Sequence, residues 1–145
     1  KPLPDSTTDI VNDIIPFVEA NYLVQSDSKS RAVAGFSVGG GQTLNIGLTN
    51  ADKFAYVCSY APFTATDEFK KNFTDWSPNV EQMNKQLKLF SISIATEDFL
   101  YESVKQNIAM FKDKKLNLET LVVPGGHTWM NCKLYLNTTL QQLFK

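Results

Sequence analysis

The sequence predicts an α/β fold, a parallel sheet with helices on both faces, and three observations carry that prediction. Short apolar runs of strand length recur along the chain, segments with apolar residues at helical spacing lie between them, and no repeat, low-complexity tract or charge block divides the whole. Strands separated by helices do not pair as hairpins, so their connections cross over and the strands run parallel. The 145 residues, 43% of them hydrophobic and 12% aromatic, suit one domain with a real core.

The elements follow in order. Lys1-Pro2-Leu3-Pro4 reads as an extended lead-in, Ser6, Thr7 and Thr8 offer N-caps, and Ile10, Ile14, Phe17, Val18 and Tyr22 then recur at helical spacing. Pro16 falls inside that helix, where it removes a hydrogen bond and is expected to bend it. Residues 31–36 form an apolar run ending in glycine and an aromatic, as a buried strand does, with a helix expected over 40–49 and a second strand over 54–60. Residues 62–86 mix aromatics with charges and Pro78, which predicts short helices and loops. Residues 87–95 alternate as a third strand, 101–114 are amphipathic through Val104, Ile108 and Phe111, 118–123 form a fourth strand, and 128–144 close the chain as a helix.

Composition removes several classes of function. Fourteen basic residues against fifteen acidic ones leave a formal charge of −1, so no field holds phosphate backbones or anionic lipid, and nucleic acid and membrane are not expected as partners. No apolar run approaches the ~18 residues that span a bilayer. No signal-peptide pattern begins the chain, which opens on Lys1. With one histidine and two distant cysteines, Cys58 and Cys132, the ligand sets of zinc or iron–sulfur sites are absent, and neither metal nor cofactor is expected. Neither cysteine belongs to a CxxC pair, and both are expected to be buried free thiols.

In an open parallel sheet, chemistry sits beyond the carboxyl ends of the strands. That rule selects the loops after Phe36, Ala95 and Val123. The first reads Gly35-Phe36-Ser37-Val38-Gly39, a G-x-S-x-G strand-to-helix turn. It pushes a serine hydroxyl into the cleft at a helix N-terminus, whose free N–H groups can stabilise an oxyanion. A glycine-rich turn of this kind also suits phosphate binding, but the apolar strand before it and the helix after it are what a nucleophile needs. The last loop, Val123-Pro124-Gly125-Gly126-His127, carries the only imidazole, so serine chemistry of the triad type makes His127 its base. The middle loop brings two adjacent acids, Glu97 and Asp98, and either suits the role of orienting the imidazole by position. The resulting order of nucleophile, acid and base is the order seen in α/β-hydrolases.

Residues 31–50, beginning Arg31-Ala32-Val33-Ala34-Gly35-Phe36-Ser37-Val38-Gly39-Gly40-Gly41, together with Asp52-Lys53-Phe54, resemble the esterase family of α/β-hydrolases. That family holds the feruloyl and acetyl xylan esterases of carbohydrate esterase family 1, S-formylglutathione hydrolases and mycolyltransferases. Ala95-Thr96-Glu97-Asp98-Phe99-Leu100-Tyr101 is similar to the acid loop of its feruloyl esterase branch, and Gly125-Gly126-His127-Thr128-Trp129 to its histidine loop. The resemblance implies Ser37 as nucleophile, Asp98 as the acid, His127 as base and the Val38 N–H as an oxyanion donor, although many members carry Met where Val38 stands. The family places several strands ahead of the nucleophile strand, and one of their loops gives the second oxyanion donor. This chain opens on the helix before that strand, so it is expected to be the C-terminal part of an α/β-hydrolase, with about four strands.

The expected function is that of a serine esterase acting through an acyl-enzyme, on feruloyl or acetyl esters of plant cell-wall polysaccharide, a substrate that favours secretion. Phe63, Trp76, Phe99 and Trp129 are the expected substrate-binding aromatics. Acyl transfer to another alcohol uses the same triad. A partner-dependent or inactive fragment is the third expectation, in which an open sheet edge pairs with an N-terminal fragment or with a second copy.

Overall fold

A computed structural model describes residues 6–145, and the extended lead-in expected over residues 1–4 lies outside the described residues. The first helical stretch is not one bent helix. It runs as α1 (Ser6–Thr8), a π-helical turn (Asp9–Ile14) and α2 (Ile15–Asn21). The Ile15 N–H reaches back five residues to the Ile10 carbonyl, and Pro16 then stands at the start of α2, where a missing N–H costs least.

Four parallel strands follow in the order β1 (Ala32–Phe36), β2 (Tyr56–Tyr60), β3 (Leu89–Ala95) and β4 (Glu119–Val123), each paired with the next. Between them lie α3 (Val38–Thr49), the short α4 (Asp67–Phe73) and α5 (Val80–Gln86), α6 (Tyr101–Asp113), and, after β4, α7 (Trp129–Leu140). Thr66, Asn79 and Thr128 cap α4, α5 and α7 by accepting from backbone N–H groups three residues on.

The two central strands are wholly buried, and their alternation divides the core. Val57, Phe90, Ile92 and Ile94 turn to one face and pack on Leu44 and Leu48 of α3 and Val104 and Phe111 of α6. Tyr56, Cys58, Tyr60 and Leu89 turn to the other face and meet Tyr135 of α7. Each fully buried aliphatic side chain of this kind stabilises the fold by about 1.5–3 kcal/mol. The outer strands are different: β1 is only half-buried, with Ala34 exposed, and β4 is largely exposed. Cys58 is buried and Cys132 half-buried, and both are free thiols. No helix among the described residues is long and apolar enough to cross a membrane.

Candidate active site

The serine turn is built by close backbone packing. Ser37 adopts φ 60 and ψ −117, a conformation that costs about 1–3 kcal/mol unless its surroundings over-determine it. Here they do: its N–H donates to the Tyr60 carbonyl at 2.9 Å, and its own carbonyl accepts from Phe63 N–H at 2.8 Å and Gly41 N–H at 3.1 Å. The end of β2 and the segment after it therefore clamp the turn from both sides. A Cβ at position 35 would lie 2.2 Å from the Gly39 carbonyl oxygen, and one at position 41 would lie 2.0 Å from that of Phe63, so neither tolerates a side chain. At Gly39 a Cβ meets open space; what matters at that position is its backbone, packed under Gly35. Val38 opens α3, and its N–H is among the first-turn donors that a helix leaves without an internal acceptor.

The acid and histidine loops are tied to each other. Thr96 N–H donates to the Val123 carbonyl and Glu97 N–H to the Gly125 carbonyl, each at 2.9 Å, which extends the β3–β4 register past the strand ends. This sets Asp98 against His127, with Asp98 Oδ2 2.7 Å from Nδ1. Oδ1 accepts the Leu100 N–H at 2.9 Å, and only 1% of the Asp98 side chain is exposed. Glu97, one residue earlier, is exposed, so the structure separates the two acids that position along the chain left equal. The histidine loop has a further brace that sequence reasoning did not find. Asn131, on the first turn of α7, donates through Nδ2 to the Gly126 carbonyl at 2.9 Å and the Pro124 carbonyl at 3.3 Å. Its signal was the spacing Thr128-x-x-Asn131, in which the cap of α7 also orients a loop-binding amide.

Phe36, Ser37, Val38, His127 and Trp129 line one open cavity of about 410 Å³. Ser37 and His127 share the wall of this cavity. Of the four aromatics expected to bind substrate, Trp129 lines this cavity and Phe99 flanks His127, both strongly exposed. The other two are corrected by the structure. Trp76, half-buried, packs edge-on against Phe73 and Phe111 at the margin of the core, and the half-buried Phe63 side chain packs on the same cluster while its backbone holds the serine turn. Packing a ring against other rings favours this place for Trp76 over exposure on a loop. Phe36 is a cavity residue that the sequence reading did not select.

Burial pushes Tyr60 and Tyr135 up to about 12, and the charge of Asp98 adds to the shift of Tyr135. Among the described residues no group of three or more His, Cys, Asp or Glu side chains is placed to hold a metal ion.

Comparison with known proteins gives the family and the fold. Residues 4–143 match the model of the family described as "Putative esterase". An endo-1,4-beta-xylanase/feruloyl esterase of Xylanibacter ruminicola is 25% identical over 137 residues, which are 94% of this chain and 17% of that protein. Among solved structures, a ferulic acid esterase superposes with a TM-score of 0.81 at 20% identity, over 92% of this chain and 57% of its own. S-formylglutathione hydrolase from Staphylococcus aureus gives 0.77 at 16% identity, over 94% and 60%. The ferulic acid esterase of Anaeromyces mucronatus gives 0.75 at 19%, over 95% and 53%. These likenesses establish an α/β-hydrolase fold, and the chain spans little more than half the length of those structures.

Proposed function

Because this chain belongs to the Putative esterase family, we propose that it is a serine carboxylic-ester hydrolase, or the part of one that carries the triad, acting through Ser37, His127 and Asp98. The observation that carries the proposal is the 2.7 Å contact between Asp98 and His127 Nδ1, next to a serine held in a strained turn on the same cavity. Asp98 fixes the tautomer with the proton on Nδ1, which leaves Nε2 as the base. Ser37 Oγ attacks the ester carbonyl while Nε2 takes its proton, and the developing oxyanion is met by the Val38 N–H. Collapse breaks the bond to the alkoxide, which leaves with the proton from Nε2. Water then repeats the sequence on the acyl-enzyme and releases the acid.

For the substrate we propose feruloyl or acetyl esters of plant cell-wall polysaccharide. Relatives named as feruloyl or ferulic acid esterases support this, as do the aromatic walls of Phe36 and Trp129 beside Ser37. Methyl ferulate and acetylated xylan separate the two acyl groups, and indifference to both rejects the cell-wall assignment.

A partner reading rests on β1. Among the described residues its outer edge is unpaired, and Ile14, Phe17, Tyr22 and Leu23 stand exposed on the helix and loop that precede it. We propose that a further strand pairs there, from a complementing N-terminal segment or a second copy. A monomeric and fully active 145-residue chain, by sedimentation and ester assay, would contradict it.

A further inference from the structure

Asp98 holds His127 by one atom, which sets a distance without fixing the plane of the ring. Two aromatic rings lie against the imidazole. Phe36, the last residue of β1, stacks on one face, with ring centroids 4.5 Å apart and planes 22° from parallel. Phe99, the residue after Asp98, closes on the ring at 4.8 Å and 54°. Trp129 in turn backs Phe36 at 5.2 Å. Phe99 is 76% exposed, an unusual place for a phenyl ring on a soluble loop, and the imidazole is among its ring contacts. The core does not require it there.

We propose that Phe36 and Phe99 are positioning residues: two aromatic faces that confine the His127 ring to the plane joining Asp98 to Ser37. The proposal rests on the triad reading above. Stacked and tilted ring pairs at these distances resist rotation, and a phenyl face also accepts the positive charge that the imidazole carries once it has taken the serine proton. Each phenylalanine is adjacent in sequence to a triad member, Phe36 before Ser37 and Phe99 after Asp98. The segments that deliver nucleophile and acid therefore deliver the clamp as well. Keeping the base in line is worth most during proton transfer and little during substrate binding, so the clamp acts on kcat.

The test uses Phe99, whose exposure makes its replacement harmless to folding. Phe99→Leu keeps the bulk and removes the flat face, and Phe99→Trp restores a face. With a small acetyl ester, kcat of F99L falls about tenfold at unchanged KM, and F99W recovers most of it. A second readout needs no turnover. His127 is the only imidazole in the chain, so its ring protons and the Nδ1 proton shared with Asp98 are assigned by NMR without ambiguity. In F99L those ring protons lose the ring-current contribution of Phe99 while keeping that of Phe36, and the Nδ1 proton exchanges faster with water; F99W restores a ring current and slows the exchange again. An F99L protein with unchanged His127 resonances overturns the clamp whether or not the chain hydrolyses esters. Changed resonances with unchanged kcat overturn its role in catalysis. A wild-type protein that hydrolyses no ester while its His127 signals respond as described instead counts against the triad reading alone.

Discussion

The two sides of the cavity are held in different ways. On one side, β3 and β4 continue into loops that hydrogen-bond to each other and bring together Asp98, His127 and Phe99, with Asn131 of α7 bracing the histidine loop. On the other side stands β1, half-buried with an unpaired outer edge among the described residues, and its serine turn is bonded to the end of β2, to Phe63 and to Gly41 of α3. The contact between Asp98 and His127 is thus made wholly by groups of this chain. Ser37 is hydrogen-bonded toward β2, and among the described residues no strand pairs with the outer edge of β1.

The largest effects expected are on chemistry. Ser37→Ala should lower kcat for a small aryl ester by roughly 10⁴-fold or more, with KM little changed. Asp98→Asn should cost roughly 10³–10⁴-fold, because it presents the wrong tautomer to the serine. Glu97→Gln, in contrast, should stay within about twofold, and a larger loss would return the acid's role to Glu97.

Stability sharpens the same contrast between regions. Ile92→Ala in the buried β3 should cost about 2–5 kcal/mol in denaturant unfolding, whereas Val122→Ala on the exposed β4 should cost well under half that. Gly41→Ala should be as damaging as the core truncation, since its methyl would collide with the Phe63 carbonyl. A G41A protein of normal stability would show that the serine turn is not clamped from the β2 side.

A smaller effect comes from the buried tyrosines under α7. Their folded values, pushed up to about 12 by burial, exceed the ordinary value of 10.0, so the folded state favours the neutral phenol. The unfolded chain ionises first, and the stability held below pH 10 should therefore decline as pH rises from about 10 to about 12. Tyr135→Phe should make that decline shallower when unfolding is followed across this range.

Much of this was legible in the sequence. The buried strands showed themselves because apolar runs bounded by glycine and polar residues leave little alternative, and the expected 87–95 and 118–123 contain the observed Leu89–Ala95 and Glu119–Val123. The turn around Ser37 and the lone histidine identified themselves by residue type. What the sequence left open depends on direction rather than composition. Asp98 and Glu97 are one residue apart, and only the loop that turns Oδ1 onto the Leu100 N–H buries one acid and exposes the other. Trp76 resembles a pocket aromatic until its contacts with Phe73 and Phe111 show which way it faces, and Phe63 until its packing on the core cluster does. Phe36 was read as the end of a strand, and nothing along the chain shows that its ring lies on an imidazole 91 positions later in sequence, at His127.

The most direct measurement of the central claim is covalent labelling by an alkyl fluorophosphonate, followed by mass spectrometry of the peptide that contains Gly35-Phe36-Ser37-Val38-Gly39. An activated serine should take up one phosphonyl group at Ser37, with labelling lost in Ser37→Ala and slowed by orders of magnitude in His127→Ala. Labelling that persists in Ser37→Ala, or that proceeds equally fast without His127, would contradict the account.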